Sequence, residues 1–392
     1  MALDRRIFLK SLGALGLASA LNTAQARSFN NKESKLEFLT QPYLQYVDDS
    51  EVSISVFTSV KSFCYIEVVD ESGSLIETVY QLDDGMRNAN ATFFKFRVKH
   101  NNANFSYKVV AKEVLLFDPY KVEYGDVITT KVYKTNLPFL SEDTAHVLIL
   151  NDVHEDVSTY KELYDHSELN RKDLVLLNGD SFHYVTQEND LIEKLFIPVT
   201  DVFASVTPFI MIRGNHETRG SFARDFKKYF DYPENKFYQS FTLGSTFWII
   251  LDGGEDKEDT HPVYAGAVDY DGYRLEQRDW LEKELNSKAC KAAKRVIVVN
   301  HIPFFHSDEW HGTLHNRSCF HDLLQKHKVT ALISGHTHRY GYYPPDKEHD
   351  YSIFIGGGPK KGRRTYVEVV SSKKACQIVL KKDDGEIIGQ LA

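Results

Sequence analysis

The chain has 392 residues, 42% hydrophobic and 26% charged, an ordinary globular composition with a soft prior of two to three domains. Eleven prolines and 22 glycines are too few for a fibrous or disordered chain, and a mean hydropathy of −0.38 excludes a multi-span membrane protein. With a formal charge of −8 no basic nucleic-acid-binding surface is expected, and an anion, on charge alone, is an unexpected ligand.

In chain order, residues 1–26 read as an address. Asp4-Arg5-Arg6-Ile7-Phe8-Leu9-Lys10 precedes an apolar, small-residue stretch from Ser11 to Leu21, too short for a bilayer that needs about 20 apolar residues. Ala24-Gln25-Ala26 supplies a small-x-small cleavage pattern, so a removable signal peptide is expected. The paired arginines resemble a twin-arginine signal, which implies export of a folded protein through the twin-arginine machinery to a periplasmic or secreted location. No cysteine follows the stretch and no later segment is apolar enough to span, so no stable membrane anchor is expected. Cleavage would remove Asp4, Arg5, Arg6 and Lys10 and move the formal charge from −8 to −10. The four cysteines (Cys64, Cys290, Cys319 and Cys376) lack C-x-x-C spacing and are expected as buried free thiols.

Residues 27–138 form the next unit. Glu51–Thr58, Phe63–Val69, Thr92–Val98 and Asp126–Tyr133 alternate apolar and polar residues, the mark of half-buried strands. Turn signals at Asp70–Gly73 and Asp83–Gly85 separate some of them. About seven short strands in about 100 residues predict an all-β immunoglobulin/fibronectin III-like sandwich. No His and carboxylate cluster falls here, so a packing or positioning role is expected.

From 139 to 392 the pattern changes. Val147–Leu150 runs into Asn151-Asp152, Leu174–Leu177 into Asn178-Gly179-Asp180, and Phe209–Ile212 into Arg213-Gly214-Asn215-His216. Val296–Val299 runs into Asn300-His301, and Ala331–Ile333 into Ser334-Gly335-His336-Thr337-His338. Such runs are strands buried on both faces, with helical stretches such as Arg274–Leu285 between some of them, and so predict an α/β domain. Ligands in such folds bind beyond the carboxyl ends of the strands.

Asp152-Val153-His154 and His336-Thr337-His338 each space two donors at i, i+2, which sends both to one side of extended backbone. With Asp180, Asn215 and His301 they make seven oxygen or nitrogen donors. Imidazole with carboxylate suits zinc, iron, manganese or nickel better than magnesium or calcium. Seven donors exceed one tetrahedral site, so two metals sharing a carboxylate is the economical arrangement.

Asp152-Val153-His154, Gly179-Asp180, Gly214-Asn215-His216-Glu217, Asn300-His301 and Gly335-His336-Thr337-His338 resemble the five-part signature of the calcineurin-like metallophosphoesterases. The sandwich, opening on Gln41-Pro42-Tyr43-Leu44-Gln45, resembles the N-terminal domain of purple acid phosphatases. The resemblance implies a layered β-sandwich flanked by helices and two metal ions (iron, manganese or zinc). Asp152, His154, Asp180 and His338 would hold one ion; Asp180, Asn215, His301 and His336 would hold the other, with Asp180 bridging. His216 would contact substrate and protonate the leaving group. The implied activity is hydrolysis of phosphate monoesters of small molecules by a metal-bound hydroxide. The alternatives are a phosphodiesterase acting on nucleotides or other diesters, and a catalytically idle binding or surface protein. Three departures matter. His183, followed by Tyr184, occupies the place of the purple enzymes' metal-binding tyrosine, so their colour is not expected unless Tyr184 substitutes by a shifted loop. His154 replaces their glycine and adds an imidazole to the first metal. The Asp-Arg pair of the related protein phosphatases is also replaced by His183-Tyr184.

The substrate wall is expected from the segments 253–272 and 306–317 and from the loop after Asn215. His183, Tyr184, Arg219, Tyr264, Trp310 and His311 are the candidate substrate contacts. Arg213 is expected in an ion pair, and Glu217 is a candidate to orient a neighbouring ligand.

Overall fold

Side-chain parity along the buried strands decides the layering. In the strand Ala145–Leu150, Val147 and Ile149 join one apolar cluster while Leu148 and Leu150 join another. Leu174 and Leu176 separate from Val175 and Leu177 in the same way, as do Ile210 and Ile212 from Phe209 and Met211. Period-two alternation puts successive residues on opposite faces, so each strand serves two cores. The computed structural model describes residues 35–48, 50–100, 103–138 and 143–392; the signal peptide expected at residues 1–26 lies outside them.

Two sheets face each other across the first of these clusters. The strands Ala145–Leu150, Leu174–Asn178 and Phe209–Ile212 run parallel in the larger sheet, and Thr365–Ser371, Cys376–Lys382 and Ile387–Leu391 extend it antiparallel. The smaller sheet sets Thr246–Ile250, Arg295–Val299, Ala331–Ser334 and Ser352–Ile355 in parallel, with Gln239–Leu243 and Gly341–Tyr343 on its edges. Trp248, Ile250, Ile297, Val299, Ala331 and Ile333 fill the inter-sheet core. The opposite face of the larger sheet packs on Tyr160 and Leu163 of the helix Ser158–His166 and on Leu195, Phe196, Val199 and Phe203. The opposite face of the smaller sheet packs on Leu281 and Leu285 of the helix Tyr270–Leu285, and on Phe320, Leu323 and Leu324 of the helix His311–Lys326. The helix expected from Arg274 begins four residues earlier, because Asp269 accepts the N–H of Gly272 and caps it there.

Among the described residues the N-terminal region is built of strands, with an apolar cluster of Ile54, Val56, Ile66, Phe94, Phe96, Tyr107 and Val109. The two strands expected at 51–58 and 63–69 are one, Glu51–Val69. Its first half pairs with Ala91–Lys99 and its second with Ser106–Asp118, the register shifting between Phe57 and Ser62. The short strand Tyr43–Tyr46 pairs antiparallel with this long one and parallel with Phe209–Ile212. One continuous sheet therefore runs through both regions, and residues 35–392 form one compact unit. The four cysteines are buried and free, as expected.

Tyr43 locks this junction. Its ring stacks on Phe196 with centroids 4.2 Å apart, and its hydroxyl donates to the Tyr229 carbonyl at 2.8 Å. Tyr43→Ala is expected to cost about 3–5 kcal/mol of stability. Tyr43→Phe, which leaves only the carbonyl unpaired, should cost about 1 kcal/mol. Equilibrium urea unfolding measures both, and a Phe variant as unstable as the Ala variant would contradict this account.

Candidate metal centre

The loops that leave the buried strands are tied to each other before any side chain is considered. The N–H groups of Asp152, His154 and Glu155 donate to the carbonyls of Gly179, Asp180 and Ser181, so the first two donor loops run as a ladder. Gly179 sits at φ +78°, and a Cβ there would come 2.4 Å from His301 Nδ1; a Cβ on Gly214 would come 2.3 Å from Asp180 Oδ1. Glycine at both positions lets the loops close around the donors.

Within this frame, Asp152, His154, Asp180 and His338 present donor atoms within 4.8 Å of one another, and so do Asp180, His301 and His336. Asn215 joins the second set through Oδ1, 3.0 Å from His336 Nδ1. The two sets share Asp180. The seven side chains expected as donors thus lie together, in two groups that have Asp180 in common.

The residues fit a pair of cations better than they fit each other. His154 Nε2 and His338 Nε2 face across 2.9 Å, with Asp152 Oδ1 3.8 Å and 3.4 Å away. His301 gives its Nδ1–H to the Asn178 carbonyl at 2.7 Å, which leaves Nε2 to take either a proton or a cation. That nitrogen is buried without a hydrogen bond, 3.1 Å from Asp180 Oδ2. Five donors (Asp152, His154, Asp180, His336 and His338) hold left-handed backbone, with φ between 46° and 71°. Strain of this kind persists where the surroundings over-determine it, commonly at ligand sites.

The electrostatics call for positive charge. Burial raises the carboxyls of Asp152 and Asp180, yet the facing imidazoles hold both well below the usual range. Burial opposes a proton on His301, but Asp180 overrides it and lifts the imidazole to about 10. Burial and His301 push His336 down to about 4, so it stays a neutral ligand. Protons occupy places that bound cations would take.

Glu217 anchors the bridging loop from below. It is fully buried and accepts the N–H groups of Asp180 at 2.9 Å, Ser181 at 2.7 Å, Phe182 at 3.3 Å and Gly214 at 2.8 Å. Burial and the charge of Asp180 lift its carboxyl to about 7.

A cavity of about 300 Å³ opens over the donors, lined also by His216, Arg219, Asp256, Lys257, Ser307, Asp308, Trp310 and Thr337. His216 donates Nδ1–H to the His183 carbonyl at 2.9 Å and turns Nε2 toward Arg219 Nη1 at 3.0 Å. Glu255 grips Arg219 with both oxygens, at 2.8 and 2.9 Å. Of the expected substrate contacts, Arg219 and Trp310 line this cavity. His183 lies beside it, its ring Nδ1 3.2 Å from His154 Nδ1. Tyr184 is 55% exposed, and no tyrosine is among the described residues lining the cavity. Tyr264 lines a neighbouring cavity with Arg219, Glu255 and Lys257, and His311 is held by both oxygens of Asp271. Arg213 pairs with Asp252 at 2.6 Å in a buried ion pair. Asp256, Ser307 and Asp308 were not singled out by the sequence; the only signal for them is their place inside the two wall segments.

The family model for calcineurin-like phosphoesterase matches residues 145–340, half of the chain. A protein of Arcobacter nitrofigilis named "Probable glycerophosphodiester phosphodiesterase GpdQ" is 30% identical over 174 residues, 43% of this chain and 58% of that protein. Purple acid phosphatase 21 of Arabidopsis thaliana is 25% identical over 202 residues, 48% of this chain and 45% of that protein. The chain thus spans roughly half the length of these curated relatives. The solved structure of purple acid phosphatase PPD1 from yellow lupin seeds superposes with a TM-score of 0.66 at 15% identity, over 90% of this chain and 73% of that one. That is a likeness of fold.

Glu217→Ala would leave four buried N–H groups without an acceptor. It is expected to lower stability by about 3 kcal/mol or more and to reduce metal retained after dialysis, with Glu217→Gln intermediate. Urea midpoints and elemental analysis of the same preparations check this; an unchanged midpoint in the Ala variant would count against it.

Proposed function

Because the chain belongs to the calcineurin-like phosphoesterase family, we propose that it is a dinuclear metal-dependent hydrolase of phosphate monoesters. The observation that carries the reading is the pair of donor sets sharing Asp180 beneath a cavity walled by His216 and Arg219. Iron, manganese or zinc, when bound, would supply water activated near neutral pH and positive charge against the phosphoryl oxygens.

The chain's own residues do the positioning. Glu255 holds Nε and Nη2 of Arg219, and Nη1 stands 3.0 Å from His216 Nε2, so that these two nitrogens would meet a phosphoryl group together. The His183 carbonyl fixes the His216 ring so that Nε2 faces inward. Protonated there, His216 would pass its proton to the departing alkoxide oxygen. Asp180, 3.9 Å from that nitrogen, favours the proton, whereas burial and Arg219 oppose it. A substrate dianion adds to the pull of Asp180.

A second reading, hydrolysis of diesters, draws support from the name of the Arcobacter relative. The same proposal takes residues 27–138 as an immunoglobulin-like module, 139–392 as the catalytic domain, and 1–26 as a twin-arginine signal directing export to the periplasm or medium. The Arg5-Arg6 pair and the small-x-small pattern at 24–26 support the last of these. Among the described residues no helix is long and apolar enough to cross a membrane.

Asp180→Ala and His301→Ala are expected to abolish p-nitrophenyl phosphate hydrolysis. His216→Ala should lower kcat by about 10²–10⁴-fold with metal content unchanged. Near-normal turnover in either ligand variant would sink the reading, and faster hydrolysis of bis-p-nitrophenyl phosphate than of the monoester would favour the diester reading. Replacing Arg5 and Arg6 by Lys should retain the protein in the cytoplasm on fractionation; undiminished export would refute the twin-arginine route.

A further inference from the structure

A second group of metal-type donors lies away from the dinuclear centre. The segment after the strand Arg295–Val299 turns at His306, which holds left-handed backbone at φ 57°. The His306 ring stacks on Tyr343, centroids 3.7 Å apart and planes within 6°, so its direction is fixed. Its Nε2 meets Nε2 of His349 at 3.0 Å. His349 is fully buried, and its Nδ1 donates to the Tyr351 carbonyl at 2.8 Å. The proton therefore sits on Nδ1, and Nε2 presents a lone pair toward His306. Asp346 brings Oδ1 to 3.7 Å from the same nitrogen, and all three donor atoms lie within 4.8 Å of one another.

The dinuclear centre of this same chain supplies the standard for judging that arrangement. There, His154 and His338 face at 2.9 Å with rings at 76°; here the two imidazoles face at 3.0 Å with rings at 87°. Asp152 stands 3.8 Å from His154 Nε2, as Asp346 stands 3.7 Å from His349 Nε2. His301 is oriented by a buried carbonyl, as His349 is. Left-handed backbone at His154 and His338 is matched at His306. Asp346 Oδ1 also accepts the N–H groups of Glu348 at 2.7 Å and His349 at 3.2 Å, which fixes the carboxylate beside the two rings, while a plain hydrogen bond between the rings accounts for their spacing but not for the left-handed turn at His306.

We propose that His306, His349 and Asp346 form a third metal site, for a divalent ion of the borderline class, zinc first. Two imidazoles and one carboxylate are a standard zinc ligand set, with a fourth position left for water. His306 and Asp346 are exposed, so an ion can enter from solvent. The ion would fasten the turn between the strands Gly341–Tyr343 and Ser352–Ile355 to the segment that continues into Ser307, Asp308 and Trp310. Those three residues line the cavity, so the site braces one wall of it.

The test uses full-length protein, stripped by a chelator, dialysed against low-micromolar zinc and analysed for bound metal. His306→Ala and Asp346→Asn are each expected to retain one equivalent fewer than wild type, with affinity for that equivalent at least about tenfold weaker. His301→Ala should lose zinc from the dinuclear centre yet keep the equivalent that His306→Ala loses. This separates failure of the third site from failure of the catalytic reading. If His306→Ala does not fold by circular dichroism, Asp346→Asn, at an exposed position, decides. Equal zinc retention by wild type and Asp346→Asn overturns the proposal and leaves only a hydrogen-bonded histidine pair.

Discussion

Two carboxylates and four imidazoles confined to one largely buried pocket, with an amide for a seventh donor, are the demand around which this molecule is built. Carboxylates out of water are unfavourable without partners, and five of the donors also hold backbone that non-glycine residues avoid, at about 1–3 kcal/mol each. The compensation is structural. Each donor loop leaves a strand buried on both faces, so its near end cannot shift without disturbing two cores. The ladder between the 152–155 and 179–181 loops and the four donations into Glu217 fix the far ends. The layering follows from that demand: two sheets converge so that strand ends from both can supply one site.

The acidic balance of the chain bears little on what that site attracts. The net charge of −8 is a sum over the whole chain, and between solvent-exposed groups it is screened within about 10 Å. Inside the pocket the sign is set locally. Asp180, facing His301, favours positive charge on that imidazole against the effect of burial, and a bound cation would dominate the field at close quarters. Around the mouth, Asp256 is paired with Lys257 at 2.8 Å and Asp308 with Arg339 at 3.0 Å. The acidic wall is thereby partly neutralised, while Arg219 keeps one nitrogen for the cavity.

Much of this is legible in the sequence, and the reason is local. Each of the seven candidate donors stands within a few residues of an apolar run, so one pattern marks both the strand and the chemistry at its end. What stayed hidden depends on contacts between distant residues. The grip of Glu255 on Arg219 spans 36 positions, and nothing near either residue announces it. Tyr43–Tyr46 reads as a strand of the first region, and only the register Gln45↔Phe209 reveals its second partner. The wall residues Asp256, Ser307 and Asp308 lie in loops, where no periodicity distinguishes a cavity-facing side chain from a solvated one. The early start of the helix at Tyr270 was lost for a smaller reason: Gly272 in its first turn weakens the helical signal that the Asp269 cap restores.

The shared strand at 43–46 bears on modularity. Sequence periodicity divides the chain near residue 138, and a gene fragment beginning there would encode every metal donor. Its product would nonetheless carry a raw edge along Phe209–Ile212, a run of four buried apolar residues whose backbone is capped in the whole protein by Tyr43–Tyr46. Exposed apolar edges of that kind recruit other chains. Separated from its N-terminal strands, that half would keep the seven converging side chains and open the edge beside Phe209 to other chains.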